Sequence, residues 1–162
     1  MSEPDERLRR AQQLFTEAYR LQMHGRLDDA IRLYRESIAC HATAEAHTFL
    51  GWTYSFQDRL DDAIAECKKA IAVDPDFGNP YNDIGSYLFK QGKLDEAIPW
   101  LERALTAPRY EPRHFPHCNL GRIYWAKGML NRAITELERA LAIDPESQFA
   151  RAALAAIQRQ LH

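Results

Sequence analysis

The feature that most constrains the fold of this chain is a seven-residue motif that recurs four times along its 162 residues. The first copy reads Gly25-Arg-Leu-Asp-Asp-Ala-Ile31, and the others begin at Asp58, Gly92 and Gly128. The alanines of successive copies are 33, 34 and 36 residues apart. A period of this length is typical of chains built from stacked copies of one supersecondary unit, so we expect a repeat architecture.

Each period predicts two helices joined by a short turn. Apolar and small residues recur at helical spacing, without the sustained alternation of a strand. Three copies begin with glycine and one with Asp58, and this position is where a left-handed residue would end the first helix. Three residues later comes a side chain predicted to cap the second helix, which is Asp28, Asp61, Asp95 or Asn131.

A second motif precedes the last three copies and reads Leu50-Gly51-x-x-Tyr54, Ile84-Gly85-x-x-Leu88 and Leu120-Gly121-x-x-Tyr124. Together the two motifs resemble the tetratricopeptide repeat, whose signature is W-x2-L-G-x2-Y…A-x3-F…P. The signature tryptophan is replaced by Leu14, His47, Tyr81 and His117.

This resemblance implies an all-α, right-handed α-solenoid of about four helix-turn-helix repeats. We predict repeats at about 11–43, 44–77, 78–113 and 114–147, with a C-terminal capping helix at 148–162. Residues 1–10 are expected to lengthen the first helix, so that residues 1–162 form a single domain.

Composition excludes several classes of function. The chain is 46% hydrophobic with a formal net charge of −2, which favours a packed protein and argues against a nucleic-acid partner. No apolar run is long enough to span a membrane, and the acidic N-terminus is unlike a secretory signal. Three widely spaced cysteines suit a reducing compartment, so we expect a cytoplasmic protein.

The resemblance also implies that one stripe of each repeat's first helix lines a concave surface. Large rings and amides on such a surface are typical of a peptide-binding groove. We expect Asn82 and Asn119 to bind a peptide backbone and Arg122 to bind a carboxylate. The full predicted groove is Phe15, Tyr19, Thr48, Trp52, Asn82, Ser86, Phe89, Cys118, Asn119, Arg122 and Trp125.

These residues predict a non-catalytic scaffold or adaptor that binds a protein or peptide with apolar or aromatic side chains. They do not supply the basic and amide clamp by which heat-shock co-chaperones of this family hold a C-terminal carboxylate. The alternative is a self-assembly module, in which the rings are buried between copies of the chain.

Other motifs are weaker. The spacing His114-x-x-His117-Cys118 allows metal ligation but lacks a fourth ligand, so we expect surface histidines and no metal or cofactor. The longer connection 107–113 predicts a surface loop that is itself a candidate contact site. No catalytic residues are expected, because no phosphate loop or nucleophile motif is present.

Overall fold

The computed structural model describes residues 2–162, and within this range the chain forms nine α-helices and no β-sheet. This confirms the predicted all-α solenoid. The first eight helices form four consecutive hairpins, and the ninth helix packs on the last hairpin. The helices are α1 (Glu3–Met23), α2 (Leu27–Cys40), α3 (Ala44–Phe56), α4 (Leu60–Val73), α5 (Asn79–Lys90), α6 (Leu94–Thr106), α7 (His114–Ala126), α8 (Leu130–Ile143) and α9 (Gln148–Gln160).

The first helix is the longest because its N-terminal turns extend beyond the repeat. Helix α1 begins at Glu3, with the Ser2 hydroxyl accepting a hydrogen bond from the Asp5 backbone N–H at 3.3 Å. Most of the residues before Ala11 are exposed. The predicted lengthening is therefore present from residue 3, and Met1 lies outside the described residues.

The four hairpin turns have the same left-handed geometry. Gly25, Gly92 and Gly128 have φ angles of 76°, 77° and 75°, and Asp58 has a φ of 59°. Aspartate tolerates this region better than most residues, because its short polar side chain can bond locally. The motif therefore ends the first helix of every repeat as predicted.

The four predicted helix caps are wrong, and the three aspartates among them bind the neighbouring repeat instead. Each second helix begins two residues earlier than a cap at the predicted position requires, and the residue that precedes it forms no side-chain cap. Asp28 and Asp61 accept hydrogen bonds from Gln57 and Gln91 in the turn of the next repeat, at 2.9 and 2.8 Å. Asp95 pairs with Lys127 in the same way. The carboxylates thus tie successive hairpins together.

Glycine on the first helices allows the two helices of a hairpin to approach closely. A Cβ atom on Gly85 would lie 2.5 Å from the side chain of Leu101, and one on Gly51 would lie 2.9 Å from the Ala63 carbonyl oxygen. Leu101, Leu137 and Ile123 are fully buried in the resulting core. This packing leaves one face of the first helices available to line the groove.

Candidate binding groove

The N-terminal half of the groove is a continuous row of aromatic rings on α1 and α3, here called the aromatic ladder. Phe49 is its centre, with ring centroids 5.3 Å from Phe15, 5.7 Å from Tyr19 and 5.8 Å from Trp52. Phe56 extends it, 5.2 Å from Trp52. These three contacts of Phe49 are edge-to-face, an arrangement that aromatic pairs favour, and a fourth ring, that of Tyr34, is stacked 6.4 Å from it.

The ladder packs between repeats and also reaches solvent. Phe15, Phe49 and Trp52 are half-buried, whereas Tyr19 is 42% exposed and Phe56 is 56% exposed. A cavity of about 420 Å³ opens beside it and is lined by Leu8, Phe15 and Phe49 among others. The ladder therefore offers contiguous apolar surface rather than scattered rings.

A second cavity, here called the central pocket, lies between α3, α5 and the start of α7. It measures about 300 Å³, and its lining includes Thr48, Trp52, Asp83, Tyr110 and Phe115. Burial raises the pKa of Asp83 to about 7, although the adjacent Asn82 amide and the Lys90 ammonium both favour the charged form. The pocket thus combines aromatic walls with a poorly solvated carboxyl group.

The 107–113 connection, here called the strap, folds back to form one wall of this pocket. The Gly78 N–H donates to the Arg109 carbonyl oxygen, and the Arg109 N–H donates to that of Asp76, both at 3.0 Å. Tyr110 lies so close to Gly78 that a Cβ atom there would lie 2.3 Å from the Tyr110 Cβ. The predicted surface loop is therefore anchored against the segment before α5.

The C-terminal half of the groove is arranged differently, because its large side chains are already paired. The Asn119 amide donates to Asn82 Oδ1 at 2.9 Å. The Arg122 guanidinium lies between two rings, 5.5 Å from the centroid of Phe89 and 4.4 Å from that of Phe149. Cation–π pairs of this kind hold an arginine in place.

Trp125 also has a partner within the chain. Its indole N–H donates to Gln160 Oε1 of α9 at 2.7 Å. The capping helix therefore takes part in this half of the groove through Phe149 and Gln160. Ser86 lies between the two halves and is half-buried.

Three predicted groove residues are more buried than expected. Thr48, Asn82 and Cys118 occupy equivalent positions in successive repeats and are only 5%, 8% and 6% exposed. This position faces the next repeat: Asn82 meets Asn119, and the Cys118 thiol lies 4.0 Å from the hydroxyl of Ser147. The Thr48 hydroxyl donates a hydrogen bond to the Ala44 carbonyl oxygen at 2.8 Å.

The Cys118 thiol, predicted to line the open groove, lies in a largely buried position. Burial raises the pKa of its thiol, with a smaller opposing effect from Ser147. A raised pKa lowers the fraction of thiolate, which is the reactive species. Cys67 is fully buried, and its pKa is raised well above the usual value by that burial.

The histidines at 114 and 117 pair with carboxylates rather than with each other. His117 Nδ1 lies 2.7 Å from Glu136 Oε2, and His114 Nε2 lies 3.5 Å from Asp144 Oδ2. Among the described residues, no three His, Cys, Asp or Glu side chains are grouped to hold a metal ion. Contacts with Glu136 and Asp144 therefore account for the two histidines of this motif.

The same histidine–glutamate pair occurs two repeats earlier, where the family signature has tryptophan. His47 Nδ1 lies 2.8 Å from Glu66 Oε2, and Lys69 lies 2.9 Å from the other oxygen. Burial tends to raise the pKa of Glu66, but hydrogen bonds from His47 and Lys69 outweigh it and the pKa is lowered. A polar pair thus fills a position that is usually aromatic.

Several residues that line the groove lie outside the predicted set of groove residues. Phe49 and Phe56 lie beside the predicted stripe, while Asp83, Tyr110 and Phe115 contribute to the central pocket. The rings of α3 were visible as an aromatic run in 49–56. The position of Tyr110 was not, because an inserted loop carries no signal for where it folds back.

The architecture and the groove define the class of the protein: a solenoid of helical hairpins with a surface suited to binding. Two sequence profiles, both described as tetratricopeptide repeat, match residues 44–77 and 76–146, together more than half of the chain. The chain belongs to the tetratricopeptide repeat family. This confirms the resemblance on which the fold was predicted.

Individual relatives share the fold more than the sequence. The chain is 30% identical over 96 residues, 58% of its length, to a small glutamine-rich tetratricopeptide repeat-containing protein 2 of Mycosarcoma maydis, of which it spans only 27%. The structure resembles pilF of Pseudomonas aeruginosa with a TM-score of 0.88 at 20% identity, covering 99% of this chain and 71% of that one.

A second similar structure is that of YrrB, described as a TPR protein with an unusual peptide-binding site. The TM-score is 0.69 at 20% identity, covering 91% of this chain and 76% of that one. Within residues 2–162, no helix has both the length and the apolar character required to cross a bilayer.

Proposed function

We propose that this protein is a non-catalytic scaffold that binds a peptide or protein segment along its concave groove. The observation that carries this proposal is the aromatic ladder, whose five rings form one contiguous and partly exposed apolar surface. Surfaces of this kind mark interaction sites, because exposed apolar area is costly unless a partner covers it. Members of the family bind protein partners, which supports the assignment.

The arrangement of the groove supports different roles for its two halves in binding. Apolar or aromatic side chains of the partner pack on the ladder, where Tyr19 and Phe56 reach solvent. In the C-terminal half, Arg122 and Trp125 are already paired with Phe149 and Gln160. That half therefore contributes the groove's shape and a polar surface more than new apolar contacts.

We also propose a cytoplasmic location, for which the cysteines provide the support. Cys40, Cys67 and Cys118 are all free. Free thiols persist in reducing compartments, whereas oxidising ones favour disulfides.

Selection of random displayed peptides against the purified protein tests the proposal. The peptides recovered should be rich in apolar and aromatic residues. Their affinity should fall about tenfold or more in the Tyr19→Ala, Trp52→Ala double variant, since exposed aromatic anchors carry much of the energy of such interfaces.

The matched control is Val73→Ala with Ile143→Ala, which removes two exposed apolar side chains from the ends of α4 and α8. This variant should bind like the wild type. Equal affinity of all three proteins, with unchanged helical circular dichroism, would move the site away from the groove.

Self-association through the groove makes a different prediction. It requires a molecular mass that rises with concentration in sedimentation equilibrium, and the ladder double variant would then be monomeric. A wild-type protein that stays monomeric supports the scaffold instead.

A further inference from the structure

The central pocket contains a carboxylate, that of Asp83, for which the described part of the chain provides no cationic partner; the side chain that hydrogen-bonds to it is the neutral amide of Asn82. Within residues 2–162, no basic nitrogen lies within 4.0 Å of the Asp83 carboxyl group. Its burial is substantial enough to raise its pKa to about 7. A charge held in this way costs folding free energy, and such groups are concentrated at functional sites.

The two arginines of the strap, Arg109 and Arg113, already bind other groups. Arg109 of the strap pairs with both Glu45 and Asp74. Arg113 donates to two backbone carbonyl oxygens, those of Leu105 and Ala107, each at 2.7 Å.

The remaining cation near Asp83 is Lys90, whose ammonium lies over the ring of Tyr87, 6.0 Å from its centroid, and does not pair with Asp83. Lys90 itself is seven residues further along α5, at the exposed C-terminal end of that helix. It favours the charged form of Asp83 but forms no ion pair with it. The carboxylate therefore faces the cavity without a counterion.

The walls of the pocket suit a cation with an apolar stem. Trp52, Tyr110 and Phe115 line the cavity together with Phe49. Aromatic rings attract ammonium and guanidinium groups through their faces, and they also pack against methylene chains. A carboxylate among such rings selects a positive group over a neutral one.

We propose that the central pocket binds the lysine or arginine side chain of the peptide in the groove, an inference that rests on the proposed function. The methylene stem packs between the rings of Trp52 and Tyr110, and the charged end reaches the Asp83 carboxylate. A basic residue flanked by apolar residues is therefore the chemistry of the partner.

Two small probes test this directly. Nα-acetyl-lysine methylamide and its neutral analogue Nα-acetyl-norleucine methylamide are titrated separately, with the indole N–H of Trp52 as the reporter in nuclear magnetic resonance spectra. The lysine probe should bind about tenfold more tightly than the norleucine probe, since its charged group gains a hydrogen bond to a carboxylate.

The substitution Asp83→Asn should remove this preference, because the amide keeps the shape of the side chain but not its charge. The control is Asp76→Asn, which removes an exposed carboxylate just before α5 and should leave the preference intact. Equal binding of the two probes by the wild type, or a lysine preference retained in Asp83→Asn, overturns the proposal.

Binding of the lysine probe should also weaken as the pH falls below about 7, where Asp83 becomes protonated. The other titratable groups that influence it are Cys67 on α4, Tyr87 and Lys90 on α5, and Tyr110 on the strap. Burial raises the pKa of the thiol and of both phenols, so none of them changes charge over that range. A flat pH profile contradicts the assignment to Asp83.

The two proposals fail in different ways. Selected peptides that need Tyr19 and Trp52 but show no enrichment of lysine or arginine would refute the cation pocket and leave the scaffold standing. A lysine preference in the small probes without any groove-dependent peptide would refute the scaffold alone.

Discussion

The two halves of the groove use the same helix position for opposite purposes. Repeat two places Phe49 there, repeat three Asp83 and repeat four Asn119. Phe49 contacts four aromatic rings, Asp83 faces a cavity, and Asn119 binds the amide of the preceding repeat. A repeat fold fixes where a side chain projects, whereas the residue type decides whether that position packs, binds or ties repeats together.

The largest effect is expected from removing the centre of the aromatic ladder. Phe49→Ala should lower the free energy of unfolding by about 2–3 kcal/mol, somewhat less than for a fully buried ring because Phe49 is half-buried. Urea unfolding measures this change. Asn119→Ala at the same position of repeat four should cost only about 1 kcal/mol, the value of one hydrogen bond. A reversed order would mean that the polar half, not the ladder, stabilises the groove.

The next largest effect is a gain in stability, expected when the buried carboxyl group of Asp83 is removed. The pKa of Asp83 is about 7 in the folded chain, against about 3.9 for aspartate in an unfolded chain. Between these values the folded state binds more protons, so stability falls as the pH rises and the full cost is present above pH 7.

Asp83→Asn should therefore stabilise the protein by about 1–3 kcal/mol near pH 8, with the gain shrinking towards pH 5. Parallel urea titrations of the two proteins at several pH values measure it. A gain that does not vary with pH would show that packing, and not ionisation, causes the difference.

A smaller effect is expected for the arginine between two rings. Arg122→Ala should lower the free energy of unfolding by about 1 kcal/mol, because it removes two cation–π contacts. Peptides that dock on the ladder should bind this variant within about twofold of the wild type, since Arg122 lies in the other half. A loss of peptide affinity as large as that of the ladder variant would make the two halves one site.

The smallest effect concerns the hydrogen bond to the capping helix. Gln160→Ala removes the acceptor of the Trp125 indole N–H, which lies at an exposed site. The expected cost is about 0.5 kcal/mol, since water replaces the lost acceptor. The indole signal of Trp125 should shift while that of Trp52 stays in place; movement of both would indicate that α9 influences the ladder.

The fold could be predicted because each repeat carries its own local signals. Local contacts and backbone geometry within one hairpin require the turn glycines, the left-handed Asp58 and the small residue Gly85. Such contacts depend on residues close in sequence, so the spacing of the motif determines them.

The details of the groove depend on contacts between repeats, which the motif does not encode. Asp28 was predicted to cap a helix, yet its partner is Gln57 in the next turn. Cys118 was expected in the open groove, but Ser147 before α9 covers it. Tyr110 reaches the central pocket only because the strap returns to Gly78. The stripe predicted which helices line the groove. It did not predict which residues of the stripe are covered by the neighbouring repeat.

The three tryptophans of the chain allow a direct test of the central claim, that ligands dock on the aromatic ladder. Trp52 lies in the ladder, Trp125 in the C-terminal half and Trp100 on α6, away from the groove. Each contributes one indole N–H signal to a proton–nitrogen correlation spectrum. On addition of a selected peptide, we predict that the Trp52 signal moves most, Trp125 little and Trp100 not at all. A shift confined to Trp125 or Trp100 would contradict the account.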